Sequence, residues 1–185
     1  LVIPVYNERR GLPPTLEKLR ALLPELPDGS EIILVDDGST DGSRKILDDA
    51  VKVDGFRLAA HHRNRGYGAA LKTGIHEATH EHVAIADADG TYPVDMLPGM
   101  LERLVGDEAA MVIGARPRSQ QPAVRRPAKA ILRWLAEYLT GERIPDMNSG
   151  LRVFHRSDVL RLKRLLPNTF SFTTTIPMAL LTEGK

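Results

Sequence analysis

The sequence predicts an α/β fold: a Rossmann-like, doubly wound, mostly parallel sheet with a second half appended to it. Three observations carry this. Five short apolar runs alternate with amphipathic stretches across the first 113 residues, the signature of strands joined by crossover helices. The runs are apolar nearly throughout rather than at every second residue, as expected of strands covered on both faces. Polar clusters then follow the first, second and fourth runs, at the sheet edge where open α/β folds bind ligands.

The elements follow in order. Residues 1–5 read as a strand, and 13–23 as a helix with prolines in its first turn, where a missing N–H costs little. Residues 31–35 form a second strand and 41–51 a helix, with Thr40 or Asp41 as its cap. A weaker strand spans 56–60, a helix 68–78, a strand 83–86, a helix 94–105 and a strand 109–113. Past Gly114 the pattern changes. Residues 116–127 are basic and proline-containing, and read as a mobile loop. Residues 128–139 form an amphipathic helix, 150–154 a further strand, and 157–165 and 174–182 two more helices.

Composition narrows the function. Hydrophobic residues at 42% and charged residues at 26% describe an ordinary globular chain, and 185 residues suit one domain. No apolar run approaches eighteen residues, so no span is expected here. With no cysteine, disulfide frameworks and thiolate metal sites are excluded. The net charge of +1 argues against nucleic acid as a partner. The charge is nevertheless uneven: six basic residues and no acid lie between Arg116 and Arg133. The chain opens at Leu1 inside a strand without an initiator Met and stops just after a helical pattern, so a fragment cut at both ends is expected.

Asp87-Ala88-Asp89 carries the chemistry. Two carboxylates at the mouth of a strand repel each other and have no basic neighbour in sequence. Carboxylate oxygens are natural ligands of a hard cation such as Mg²⁺ or Mn²⁺, which takes its remaining ligands from phosphates and water. The competing reading is a polar turn. Two other clusters converge on the same edge: Pro4-Val5-Tyr6-Asn7-Glu8 after the first strand and Asp36-Asp37-Gly38-Ser39 after the second. Asp37 is placed to accept hydrogen bonds from a base or ribose; the competing reading of the cluster is a helix cap, a role that suits Asp41.

His76-Glu77-Ala78-Thr79-His80 matches the H-E-x-x-H zinc motif but falls at the end of a helix, so we read it as a helix terminus. Gly66-Tyr67-Gly68 lacks the spacing of a dinucleotide fingerprint. Arg63, Asn64 and Arg65 beside it are either diphosphate contacts or part of a structural turn.

Together Val2-Ile3-Pro4-Val5-Tyr6-Asn7-Glu8, Val35-Asp36-Asp37-Gly38-Ser39-Thr40-Asp41-Gly42, Asn64-Arg65-Gly66-Tyr67-Gly68-Ala69-Ala70 and Asp87-Ala88-Asp89-Gly90-Thr91-Tyr92-Pro93 resemble family 2 glycosyltransferases. Gly114-Ala115-Arg116 and Asp146-Met147-Asn148-Ser149-Gly150-Leu151-Arg152 bring the chain nearest the dolichol-phosphate mannosyltransferase and polyprenyl-phosphate glycosyltransferase branch. The resemblance implies a glycosyltransferase A-type fold over 1–185, with a nucleotide-sugar half to about 115 and an acceptor half from about 116. It implies inverting, metal-dependent transfer of a hexose from a GDP-mannose or UDP-glucose type donor to a polyprenyl or dolichyl phosphate.

The implied roles are specific. Pro4, Tyr6 and Glu8 line the nucleoside pocket, and Val35 and Asp37 contact the base. Asp87, Ala88 and Asp89 hold ribose, diphosphate and the Mg²⁺ or Mn²⁺ ion. Thr91 assists the metal through its hydroxyl or a water. Arg116 and Arg125 face the sugar diphosphate or the acceptor phosphate, and Arg152 binds phosphate from the far side. Asp89, Arg116 and Arg152 are the implied catalytic set.

A phosphate acceptor is already ionised, so the site needs positive charge rather than a base. The basic loop (Arg116, Arg118, Arg125, Arg126, Lys129) suits that task; the competing readings are a solvated loop and a patch drawn to anionic lipid headgroups. A peripheral position at the cytoplasmic face of a membrane is implied, with any membrane helices beyond residue 185. The helix carrying Trp134 and Tyr138 either touches the bilayer or packs in the core. Two alternatives stand beside this: transfer to a hydroxyl acceptor, with Asp146 as base, and a nucleotide-sugar-binding module without turnover. Thr173-Thr174-Thr175 departs from the acidic residues common there in relatives.

Overall fold

The computed structural model describes residues 1–114 and 149–184. The strands are β1 (Val2–Val5), β2 (Ile33–Asp36), β3 (Arg57–Ala60), β4 (His82–Ile85), β5 (Met111–Ile113) and β6 (Arg152–His155). The helices are α1 (Leu12–Leu22), α2 (Ser43–Asp54), α3 (Tyr67–Glu77), α4 (Leu97–Gly106), α5 (Arg156–Leu162) and α6 (Phe172–Thr182).

Each helix has a local cause. In α1, Pro13 and Pro14 fall in the first turn, and Leu12, Leu16 and Leu19 recur on one buried face. In α2, Asp41 Oδ1 accepts the Ser43 N–H at 2.9 Å and the Ser43 hydroxyl at 2.6 Å, one residue outside the formal cap at Gly42. The left-handed Gly55 ends that helix. Helix α3 stops at Glu77 with an extended Ala78. His80 therefore lies off the helix, its Nε2 2.9 Å from the Gly29 carbonyl oxygen, and the two histidines of H-E-x-x-H share no helical face.

Among the described residues the sheet runs β3-β2-β1-β4-β6-β5. β1 pairs in parallel with β2 and β4, and β2 with β3. β6 is antiparallel to both β4 and β5. A strict succession of parallel strands would have set β5 beside β4; β6 takes that position instead. Val153 packs into the core on one face of the sheet and Phe154 into the core on the other. A strand buried on both faces belongs inside a sheet, whereas the short, half-buried β5 suits an edge.

The core is split by the sheet. Ile3, Val5, Leu34 and Val153 pack with α1, α2 and α4 on one face. Val2, Ile33, Val35 and Phe154 pack with α3, α5 and α6 on the other. The chain proceeds from β1 outward to β2 and β3 but sets β4 on the other side of β1. The crevice between β1 and β4 is therefore the topological switch point of the sheet.

Candidate functional site

A cavity of about 460 Å³ lies at that switch point. Pro4, Tyr6 and Glu8 line it from the end of β1, Asp37 from the end of β2, and Asp87, Ala88 and Asp89 from the end of β4. Tyr67 contributes from α3, and Thr169 and Phe170 from the α5–α6 connection. Residues far apart in sequence thus meet at one edge. A second cavity, of about 180 Å³, lies against the amino ends of β1, β2 and β4 and contains none of the predicted site residues.

The loops that frame the site are tied to one another. Asn7, in the left-handed region at φ 55°, accepts the Thr40 N–H on its Oδ1 at 2.8 Å, and its own N–H donates to Ser39 Oγ at 3.0 Å. The Arg9 N–H donates to Asp41 Oδ2 at 3.0 Å. These bonds lock the β1–α1 connection to the β2–α2 connection, and so hold Tyr6, 45% exposed, at the mouth.

Asp37 is 2% exposed. Its Oδ1 accepts the Arg65 N–H at 2.9 Å and its Oδ2 the Gly66 N–H at 2.8 Å. His61 Nδ1 approaches Oδ1 at 2.6 Å, and its Nε2 lies 2.9 Å from Thr73 Oγ1. The carboxylate therefore organises the β3–α3 connection as well as lining the cavity. The glycines of Gly66-Tyr67-Gly68 serve close backbone approach. A β-carbon on Gly66 would lie 2.4 Å from the Asn168 carbonyl oxygen, and one on Gly68 2.3 Å from that of Pro167.

The acidic loop is anchored from below. Thr15 Oγ1 lies 2.7 Å from the Ala88 carbonyl oxygen and 2.8 Å from that of Gly11, so its one proton serves either. Lys18 Nζ donates to the Gly90 carbonyl at 2.9 Å. Asp89 Oδ1 accepts the Thr91 N–H at 2.9 Å and the Thr91 hydroxyl at 2.7 Å. The Tyr67 hydroxyl donates to Asp87 Oδ1 at 2.7 Å. Burial, and next the charge of Asp87, push the Tyr67 phenol far above its usual range, so it stays a proton donor.

Among the described residues the carboxylates at this edge act on one another. Burial raises the Glu8 carboxyl, and the charges of Asp89, Asp41 and Asp87 raise it further. Among the described residues no three His, Cys, Asp or Glu side chains are arranged to hold a metal by themselves. The donor set instead fits a hard cation that shares one or two carboxylates with the oxygens of a diphosphate. Asp89 and Asp87 are the carboxylates that would hold it, with Thr91 hydrogen-bonded to the first.

Two of the residues expected at the site have buried side chains. Val35 is fully buried and faces α3, so its side chain offers no surface to a base. Arg152 is 0% exposed. Its Nε donates to the Ser149 carbonyl at 2.9 Å, its Nη1 lies 3.5 Å from Met111 Sδ, and its charge is felt at the Tyr67 hydroxyl. As a strand residue it alternates with apolar neighbours buried on both faces of the sheet. Arg116, Arg125, the rest of the basic loop, the helix expected over 128–139, and Asp146 lie outside the described residues.

Sequence reasoning missed Phe170, Thr169, His61 and the role of Tyr67. Phe170 is 77% exposed and stacks on Tyr67, with ring centroids 4.8 Å apart at 17°. A lone aromatic within the polar run Asn168-Thr169-Phe170-Ser171 was the available signal.

Comparison with known proteins bears on the family and the fold. The sequence profile described as Glycosyl transferase family 2 matches residues 1–166. The undecaprenyl-phosphate 4-deoxy-4-formamido-L-arabinose transferase of Aeromonas hydrophila subsp. hydrophila is 34% identical over 159 residues, covering 84% of this chain and 48% of that protein. The enzyme of the same name from Pseudomonas aeruginosa (strain LESB58) is 36% identical over 162 residues, covering 86% and 47%. The chain thus spans about half the length of these curated relatives.

Among solved structures, glucosyl-3-phosphoglycerate synthase from Mycobacterium tuberculosis, in complex with Mn²⁺, uridine diphosphate and phosphoglyceric acid, superposes with a TM-score of 0.72 at 20% identity, over 95% of this chain and 61% of that one. The mannosyltransferase PcManGT from Pyrobaculum calidifontis, in complex with GDP-Man and Mn²⁺, gives 0.63 at 24%, over 87% and 45%. The shared architecture is the glycosyltransferase A-type fold. With the profile spanning nearly all of it, the chain belongs to glycosyl transferase family 2.

Proposed function

We propose that this chain binds a nucleotide diphosphate sugar with a divalent cation, Mg²⁺ or Mn²⁺, and transfers the hexose with inversion to a polyprenyl phosphate. One observation carries the reading: the switch-point cavity gathers Tyr6, Glu8 and Asp37 beside Asp87 and Asp89. Its first group suits a nucleoside, its second a cation bridging a diphosphate. The names of the relatives, each an undecaprenyl-phosphate transferase, support a lipid-phosphate acceptor.

In this reading Pro4, Tyr6 and Glu8 bind the nucleoside, and Asp87 and Asp89 hold the cation, assisted by Thr91. The cation supplies charge neutralisation at the leaving diphosphate. Arg116 and Arg125 belong to the acceptor side, where positive charge brings two anions together. A GDP-mannose or UDP-glucose type donor is proposed, at a membrane surface. Among the described residues no helix is long and apolar enough to cross a membrane.

Calorimetric titration with GDP and with UDP, each with Mn²⁺ and with EDTA, tests this. Metal-dependent binding of one nucleotide is expected, and Asp89→Ala should abolish the metal dependence. Equal affinity with and without metal in the wild type would overturn the assignment.

A further inference from the structure

We propose that Tyr67 is a positioning residue that fixes Asp87 for the divalent cation, and that Phe170 holds Tyr67 in place. The inference rests on the donor-site reading above.

Tyr67 is anchored at each end. Its backbone opens α3, so its Cα is fixed by the helix. Its hydroxyl donates to Asp87 Oδ1 at 2.7 Å. Its ring lies against that of Phe170, nearly parallel. Phe170 is 77% exposed, so burial of its own surface explains little of its position; its ring stacks on that of Tyr67.

The loop that carries Phe170 is itself locked to α3. The Ala69 N–H donates to the Asn168 carbonyl at 3.2 Å, and Lys72 Nζ bonds Asn168 Oδ1 at 2.8 Å as well as the Leu166 carbonyl. The close approaches at Gly66 and Gly68 make this contact backbone against backbone. On the other side of Asp87, a β-carbon at Gly150 would lie 2.3 Å from Oδ2. The carboxylate is therefore confined between a hydroxyl donor and a turn of the chain.

Asp89 differs. It is exposed, and Thr91 two residues on supplies its hydrogen bonds. One carboxylate is thus oriented by the tertiary structure and the other by its own loop. Groups that orient a metal ligand typically change metal affinity by roughly ten- to a hundredfold when lost, on the order seen for outer-shell partners generally.

The test is Tyr67→Phe, which removes only the hydroxyl and keeps the stacked ring. Mn²⁺ is titrated by calorimetry in the presence of whichever of GDP or UDP the wild type binds. Metal-free nucleotide affinity and thermal midpoint are measured alongside. The Mn²⁺ concentration at half-saturation should rise at least about tenfold, with Mn²⁺-supported nucleotide affinity falling more than metal-free affinity. Phe170→Ala, at an exposed position and with its thermal midpoint checking the fold, should raise it about three- to tenfold with the hydroxyl still present. A Tyr67→Phe midpoint within about twofold of wild type would overturn the proposal while leaving the donor site standing. A wild type that binds neither nucleotide with Mn²⁺ would remove the donor-site reading and the proposal with it.

Discussion

At Gly150 the chain leaves no room for a β-carbon, which would meet Asp87 Oδ2 at 2.3 Å and Oδ1 at 2.8 Å. The contact is with a carboxylate that has few places to go, because Tyr67 bonds it on one side. The Gly150 N–H also donates to the Tyr92 hydroxyl at 2.7 Å, so the turn cannot slide away without breaking a buried bond. Gly150→Ala should therefore act on the site first. Metal-dependent nucleotide affinity falls about tenfold, on the order of the loss when a metal ligand is misaligned. Stability falls by about 1–3 kcal/mol, the usual cost of overpacking. Nucleotide titration with and without Mn²⁺, beside urea unfolding, separates the two. Unchanged metal dependence in Gly150→Ala would mean that Asp87 moves freely.

Helix α3 shows how an element meets the sheet. At Gly74 a β-carbon would lie 2.3 Å from Val2 Cγ1 and 2.9 Å from Val35 Cγ2, both on buried strands. Two effects oppose each other in Gly74→Ala. Helix propensity favours Ala by about 1 kcal/mol. Overpacking against buried β-branched side chains of restricted χ1 costs about 1–3 kcal/mol. The second should win, and the thermal midpoint should fall by about 2–8 °C in a chain of this size. A rise in midpoint would show that α3 can lift off the sheet at no cost. The same helix marks how far the sequence was legible. Its period, its start near Gly68 and its end near Ala78 could be read from local pattern, as could β1 to β4 and the acidic loop after β4. Those signals are written in neighbouring residues. The place of β6 is not, because an apolar run such as Leu151-Arg152-Val153-Phe154 shows that a strand is buried but not which strands flank it. The setting of Arg152 was illegible for the same reason: only the register places it opposite Ile85 and Ile113. Phe170 could be noticed as an aromatic in a polar run, but its pairing was illegible, because Tyr67 lies far away in sequence on a helix whose orientation only the assembled core fixes.

At the scale of the whole molecule, the carboxyl ends of the strands gather the ligand chemistry and the amino ends are joined by one carboxylate. Glu31, just before β2, accepts the Thr79 N–H and the Thr79 hydroxyl on Oε1, each at 2.7 Å, and pairs through Oε2 with Arg57 of β3. Arg57 continues to the Glu77 carbonyl at 3.0 Å, at the end of α3. Burial alone would raise the Glu31 carboxyl, but the hydrogen bonds from Thr79 and Arg57 outweigh it and hold it at about 2, against an ordinary value of 4.5. A carboxyl held below its unfolded value stabilises the native state above that unfolded value. Its contribution is lost as pH falls through the folded value, so the window here runs from about 4.5 down to about 2. The shift corresponds to at most about 3 kcal/mol, and since Arg57 is partly solvent-exposed we expect about half of that. Glu31→Gln should thus lower stability at pH 7 by about 1–2 kcal/mol and flatten its decline in acid. The two urea-midpoint curves should converge as pH approaches 2, where the wild-type carboxyl protonates. Nucleotide affinity at pH 7 should stay within about twofold of wild type, because the ion pair stands at the opposite end of the strands from the cavity. Parallel stability curves would show that the Glu31 junction contributes no pH-linked stability. A shared loss of stability and of nucleotide affinity would show that the two ends of the sheet are coupled.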